Sequence, residues 1–134
     1  MPNAGPSKHV LIVSGNDDTA RHLQDYLVSR GLRANVKAKL PTEFGQDPPD
    51  AVVLFPDEFK KDEVEPRVRK LLTENECVTL TVVTANTQRF EGLAMRLEDT
   101  QTSRLSVLPR PAFSWTILDH VISPLATKAK SNPL

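Results

Sequence analysis

Pro49-Asp50-Ala51-Val52-Val53-Leu54-Phe55 decides the fold, because it holds a short, unbroken apolar run entered from a turn. A run of this length that does not alternate apolar with polar residues suits a strand covered on both faces, the usual condition of a parallel sheet. Working outward, His9-Val-Leu-Ile-Val13 is a second run of the same kind, Val78–Ala85 a third, and Arg104–Leu108 the last strand. In Ala34-Asn-Val-Lys-Ala-Lys-Leu40 apolar and polar residues alternate, as expected of an edge strand.

Helical spacing fills the intervals. Asn16-Asp17-Asp18 offers caps for a helix carrying Ala20, Leu23 and Leu27, which Gly31 stops. Pro41–Asp50 is short and Pro-rich, with room for only a turn or two of helix. Val64, Val68, Leu71 and Leu72 share one face of the next helix, where Pro66 is tolerable only if it falls in the first turn. The charged stretch Asp57–Lys61 before it reads as a solvated loop. Phe90, Leu93, Ala94 and Leu97 mark a fourth helix, and Ile117, Leu118, Val121 and Ile122 a fifth, which Pro124 should kink or end. The order β-α-β-(short α)-β-α-β-α-β-α implies a parallel sheet with helices on both faces, since right-handed crossovers place them there. Residues 1–8 are expected to be a disordered N-terminus, 9–126 one domain, and 127–134 a disordered tail or linker.

Composition narrows the function. A chain of 134 residues suits a single domain. Lys and Arg together equal Asp and Glu at 17 each, so the basic surplus of a nucleic-acid binder is missing and direct nucleic-acid binding is not expected. The lone Cys77 forms neither an internal disulfide nor a multi-cysteine zinc site, and reads as a small residue entering a buried strand. His9, His22 and His120 are scattered, and neither a Gly-rich phosphate loop nor a Ser-His-Asp or Cys-His grouping accompanies them, so a small enzyme is not expected. Met1–Lys8 does not resemble a signal peptide, and the apolar runs are too short to cross a bilayer. A soluble, cytoplasmic protein without membrane contact is the expectation.

In open parallel sheets function collects at the carboxyl ends of the strands, and reading those ends brings out a family. Pro49-Asp-Ala-Val-Val-Leu-Phe55 resembles the third strand of the bacterial response-regulator receiver domain, Pro-Asp-x-Val-x-x-Asp. Val82-Val-Thr-Ala85 is similar to the receiver's fourth strand, and Leu108-Pro-Arg-Pro-Ala-Phe113 to its Leu-x-Lys-Pro-Phe signature. Gly31 closes the first helix at about the receiver spacing. The resemblance covers roughly residues 8–125. It implies a flavodoxin-like (βα)5 doubly wound parallel sheet, strand order 2-1-3-4-5, with a shortened second helix.

The same resemblance identifies the chain as a pseudo-receiver. The phosphoacceptor aspartate aligns with Phe55, which has no nucleophile and reads as a plug in the emptied pocket. The two acidic residues that help hold magnesium align with Ser14 and Gly15, and magnesium favours carboxylate oxygens. The catalytic hydroxyl aligns with Thr84, the phosphate-neutralising lysine with Arg110, and the aromatic switch residue with Val107. Arg110 is expected to pair with a nearby carboxylate. Receivers often hold the peptide that corresponds to Arg110-Pro111 cis. No enzymatic activity, no cofactor and no magnesium are expected.

What remains is a phosphorylation-independent signalling or scaffold module that binds another protein or itself. One alternative keeps phosphorylation at a displaced carboxylate, Asp57, with Asp17 and Asp18 lending acidity; another is the N-terminal regulatory domain of a longer transcription regulator. Receivers commonly signal through the face of the fourth helix, fifth strand and fifth helix. At ~100° per residue the apolar stripe of the fourth helix leaves Met95 pointing outward with Gly92 beside it, and that of the fifth leaves Trp115 at its flank. These three residues are the expected interaction surface, since interfaces favour Met and aromatic side chains.

Overall fold

A computed structural model describes residues 8–39, 49–74, 78–95, 104–110 and 112–131, with backbone only at 61, 94 and 123–131. Five strands, β1 (His9–Val13), β2 (Arg33–Lys37), β3 (Ala51–Leu54), β4 (Thr79–Thr84) and β5 (Leu105–Pro109), form one sheet in the order β2-β1-β3-β4-β5. Every pairing is parallel, so the expected doubly wound, flavodoxin-like topology is present. The described helices are α1 (Asp17–Ser29), α2 (Lys61–Glu74), α3 (Thr87–Met95) and α4 (Ser114–Ser131). The expected short helix within 41–50 falls largely outside the described residues, as do Leu97 and Cys77. The anticipated fourth and fifth helices are therefore α3 and α4.

The unbroken apolar strands follow from the two-layer packing. Val10 and Ile12 of β1 face a layer built with Ala20, Leu23 and Leu27 of α1 and Ile117 and Val121 of α4. Leu11 and Val13, one residue out of phase, face Val64, Val68 and Leu72 of α2 and Phe90 and Leu93 of α3. Successive residues point to opposite faces, so Val10–Val13 of β1 and Ala51–Leu54 of β3, lying between two helical layers, are apolar at each position. Full burial of one such side chain stabilises by about 1.5–3 kcal/mol. Asp50 starts the central pair correctly: its carboxylate accepts the His9 amide at 2.8 Å.

The start of β2 is set at the end of α1. Gly31 has φ 90°; its amide reaches the Val28 carbonyl, and that of Leu32 reaches Leu27. This pair of bonds closes a helix through a left-handed residue that only glycine adopts without strain.

Three boundaries differ from expectation. Strand β2 stops at Lys37 rather than Leu40, because its only described partner, β1, ends at Val13, opposite Lys37. Pro66 lies in the second turn of α2, not the first, so one helical bond is forgone; the residue is exposed, and burial of Val64, Val68, Leu71 and Leu72 offsets the loss. Helix α4 continues through Pro124 to Ser131, past the expected stop and into the expected tail, over a stretch whose Ala126, Ala129 and lysines favour helix.

Candidate functional site

The carboxyl ends of β1, β3, β4 and β5 lie at one end of the sheet, and with them the receiver-like positions Ser14, Gly15, Phe55, Thr84 and Arg110, while Val107 sits in mid-β5. Phe55 follows β3 and is 4% exposed. Its amide extends the ladder to the Val13 carbonyl at 3.0 Å, and its ring joins the α1/α4 core layer with Val83, Leu108 and Ile117. Between the starts of α1 and α4 it also lines a cleft of about 390 Å3 with Leu23, Ile117, Asp18 and His22. The Arg110 guanidinium lies 6.0 Å from the ring centroid.

The segment after Phe55 meets the solvated-loop expectation for Asp57–Lys61 only in part: Asp57 and Lys60 are exposed, but the stretch begins in an ordered turn. Pro56, preset for a helical φ, starts a 3-10 turn, Pro56–Glu58, and the turn aims two carboxylates at the neighbouring strand ends. Glu58 Oε1 accepts the Ser14 hydroxyl at 2.7 Å, the Gly15 amide at 2.5 Å and the Asn16 amide at 3.1 Å. The approach is close enough that a Cβ on Gly15 would sit 3.3 Å from Glu58 Cβ, which explains glycine there. Asn16 then caps α1, its side chain accepting the Thr19 amide at 3.1 Å.

Asp57 serves the other half. Its Oδ1 accepts the hydroxyl of the fully buried Thr84 at 2.6 Å, and its Oδ2 accepts the Ala85 amide at 2.8 Å. Arg110, after β5, brings Nη1 to 3.9 Å from Oδ2, the carboxylate pairing expected of it. Thr84 Oγ1 in turn accepts the Asn86 amide at 3.1 Å. The bonds to the Asp57 and Glu58 carboxylates are charge-assisted and about twice as strong as neutral ones.

Chemically the site is closed on itself. Where receivers place carboxylates for a metal, this chain has a hydroxyl and a glycine amide, both donating to Glu58, a donor set that does not fit a hard cation. Among the described residues no group of three or more His, Cys, Asp and Glu side chains is placed to hold a metal ion. Val107 is half-buried against the α2/α3 layer. Asp17 is held by Arg21 at 2.9 Å on the exposed face of α1, and neither Asp17 nor Asp18 is joined to the Asp57 cluster by a described bond. Pro111, and with it the geometry of the Arg110-Pro111 peptide, lies outside the described residues. Glu58 is the residue that sequence reasoning missed; the only signal was an acidic side chain in the charged stretch that follows β3.

The expected interaction residues are outward-facing. Met95 is 86% exposed and Trp115 55% exposed; a side chain built on Gly92 would meet open space. Helices α3 and α4 belong to opposite layers, so Met95 and Trp115 lie on opposite sides of the sheet. Phe113, not singled out from sequence as a surface residue, is exposed and stacks on Trp115, with centroids 4.4 Å apart and planes 6° from parallel.

No protein-family model matches the chain, and no curated protein sequence matches it. Solved structures do. A two-component response regulator from Clostridium difficile superposes with TM-score 0.71 at 16% identity, over 95% of this chain and 100% of that one. A response regulator receiver domain protein from Clostridium thermocellum gives 0.71 at 12% identity, over 91% and 97%. The non-phosphorylated HemR receiver domain of Leptospira biflexa gives 0.66 at 15% identity, over 90% and 95%. Among the described residues no helix is long and apolar enough to cross a membrane. At such identities the likeness speaks for architecture: this chain has the doubly wound, flavodoxin-like fold of response-regulator receiver domains.

Proposed function

We propose that the chain is a pseudo-receiver, a signalling or scaffold module of a bacterial two-component pathway that works by binding protein, without phosphorylation, catalysis or magnesium. The observation that carries this reading is the buried Phe55 where a receiver has its phosphoacceptor. Phosphoryl transfer rests on a competent nucleophile held in line with stabilising charge, and a phenyl ring packed into the core supplies neither. The domain is taken as residues 9–126, acting in the cytoplasm without nucleic acid or membrane as a direct partner.

The working surface in this reading is the rim of β5, with Met95 and Gly92 on one side and Trp115, stacked on Phe113, on the other. Stacked aromatics left in water favour a protein partner with an apolar pocket, because interface anchors are aromatic side chains that bury on docking.

Asp57 supports one competing reading, phosphorylation at a displaced carboxylate, since it touches Thr84 and lies near Arg110. Both of its oxygens already accept hydrogen bonds, which opposes attack. Incubation with acetyl phosphate and magnesium, followed by intact-mass spectrometry, separates the two. An unmodified mass is expected; a phosphoryl adduct mapped to Asp57 would overturn the phosphorylation-independent reading.

A further inference from the structure

We propose that the cleft between the starts of α1 and α4 binds a small organic cation, a compact aromatic body carrying an ammonium group. The cleft lies beside the closed carboxylate cluster, on the α1/α4 side of Phe55, and has a volume of about 390 Å3. Packed interiors leave few voids larger than a water molecule, and a gap of this size falls in the range of small-molecule sites. Its origin is in the sequence. Thr19 faces it from α1, and Ala112 and Ser114 face it from the segment that opens α4. Three small side chains where the helices meet leave the space unfilled, and larger ones would close it over Phe55.

The lining fixes the class of ligand. Its floor is the apolar group Leu23, Phe55 and Ile117, all buried core residues, and such surface favours an apolar body laid against it. Asp18 and His22, both exposed, stand at the mouth. The neighbouring charges are matched: Asp17 pairs with Arg21 at 2.9 Å, and Asp57 lies 3.9 Å from Arg110. Asp18 makes no ion pair or hydrogen bond among the described residues. The unmatched carboxylate at the mouth is therefore complementary to a cation and repels an anion of the same shape. This cleft is separate from the exposed face of Met95, which belongs to the other helical layer, so the proposal goes beyond the protein-binding reading and does not rest on it.

The test is a titration of the full chain followed by amide NMR at about pH 8, where an ordinary imidazole is neutral. Three probes of one shape are compared: naphthylmethylamine as the cation, naphthylmethanol as its uncharged counterpart and naphthoate as the anion. The amine should shift the amides of Thr19, Leu23, Ser114 and Ile117 saturably in the millimolar range, as suits a ligand of about twelve non-hydrogen atoms. The alcohol should bind about threefold more weakly, the worth of an exposed charge pair, and naphthoate more weakly still. Asp18→Asn, a change on an exposed residue, should erase the preference for the amine and leave binding of the alcohol unaltered. Ala112→Phe, which fills the gap, should abolish the shifts from all three probes while the β1 amides keep their positions. Should that variant fail to fold, Ser114→Leu fills the gap from the start of α4 and is held to the same result. Absence of saturable shifts in the wild type, equal binding of the three probes, a preference that survives in Asp18→Asn, or unaltered binding by the filled variant would each overturn the proposal. None of these outcomes touches the phosphorylation-independent reading, which the acetyl phosphate experiment decides.

Discussion

The strand-end pocket and the rim of β5 treat their side chains in opposite ways. In the pocket each receiver-like position is filled or satisfied from within: Phe55 is packed into the core, Ser14 and Gly15 donate to Glu58, and Thr84 donates to Asp57. Along the rim, Met95, Phe113 and Trp115 leave apolar surface in water. A satisfied interior has nothing to offer a ligand, whereas exposed aromatics gain by being covered. The contrast locates the proposed activity on the outer surface of the fold.

The largest expected effect is in the pocket. Phe55→Asp removes a buried ring and leaves a carboxylate in an apolar layer, so chemical denaturation should show a loss of about 3–5 kcal/mol. A stability equal to wild type would mean that the pocket is open and solvated, and the contrast would break. Glu58→Ala should cost less, about 1–3 kcal/mol, since three donors lose their acceptor but two of them, the Gly15 and Asn16 amides, lie on exposed residues; thermal unfolding measures it. Glu58→Gln should recover part of the loss, because an amide oxygen still accepts.

The rim should respond the other way. Met95→Glu and Trp115→Glu should each stay within about 0.5–1.5 kcal/mol of wild type, the upper value allowing for the lost Phe113 stack. Binding to a protein partner, or self-association measured by sedimentation, should fall sharply for both, while Lys37→Glu on the far edge strand behaves as wild type. Normal association by both rim variants would move the working surface elsewhere.

The fold was legible because its signal is periodic. Apolar runs at His9–Val13 and Ala51–Phe55 can only be strands covered twice, and Leu23 and Leu27 can only share a helix face. Phe55, Ser14, Gly15, Thr84 and Arg110 were legible as site positions because a strand end has a definite place in a doubly wound sheet. Asp57 was legible only as a displaced carboxylate, and Glu58 not at all. A charged loop has no periodicity, and the bonds that give these carboxylates their roles join residues 43 and 27 positions apart. The same holds for the Phe113–Trp115 stack, which depends on the chain's path between β5 and α4. Pro66 and Pro124 misled for a related reason: local propensity marks them as helix boundaries, and packing of α2 together with good helix formers in α4 carried both helices past them.

Amide NMR of the wild type with magnesium and beryllofluoride, a mimic of the phosphoryl group, puts the phosphorylation-independent reading at greatest risk. With Phe55 in place and the donors of Thr84 and Ala85 engaged by Asp57, the resonances of Asp57, Thr84 and Ala85 should not move saturably. Saturable shifts confined to those three residues and the start of α3 would show a site still able to receive a phosphoryl group, and the chain would be a working receiver with a displaced acceptor.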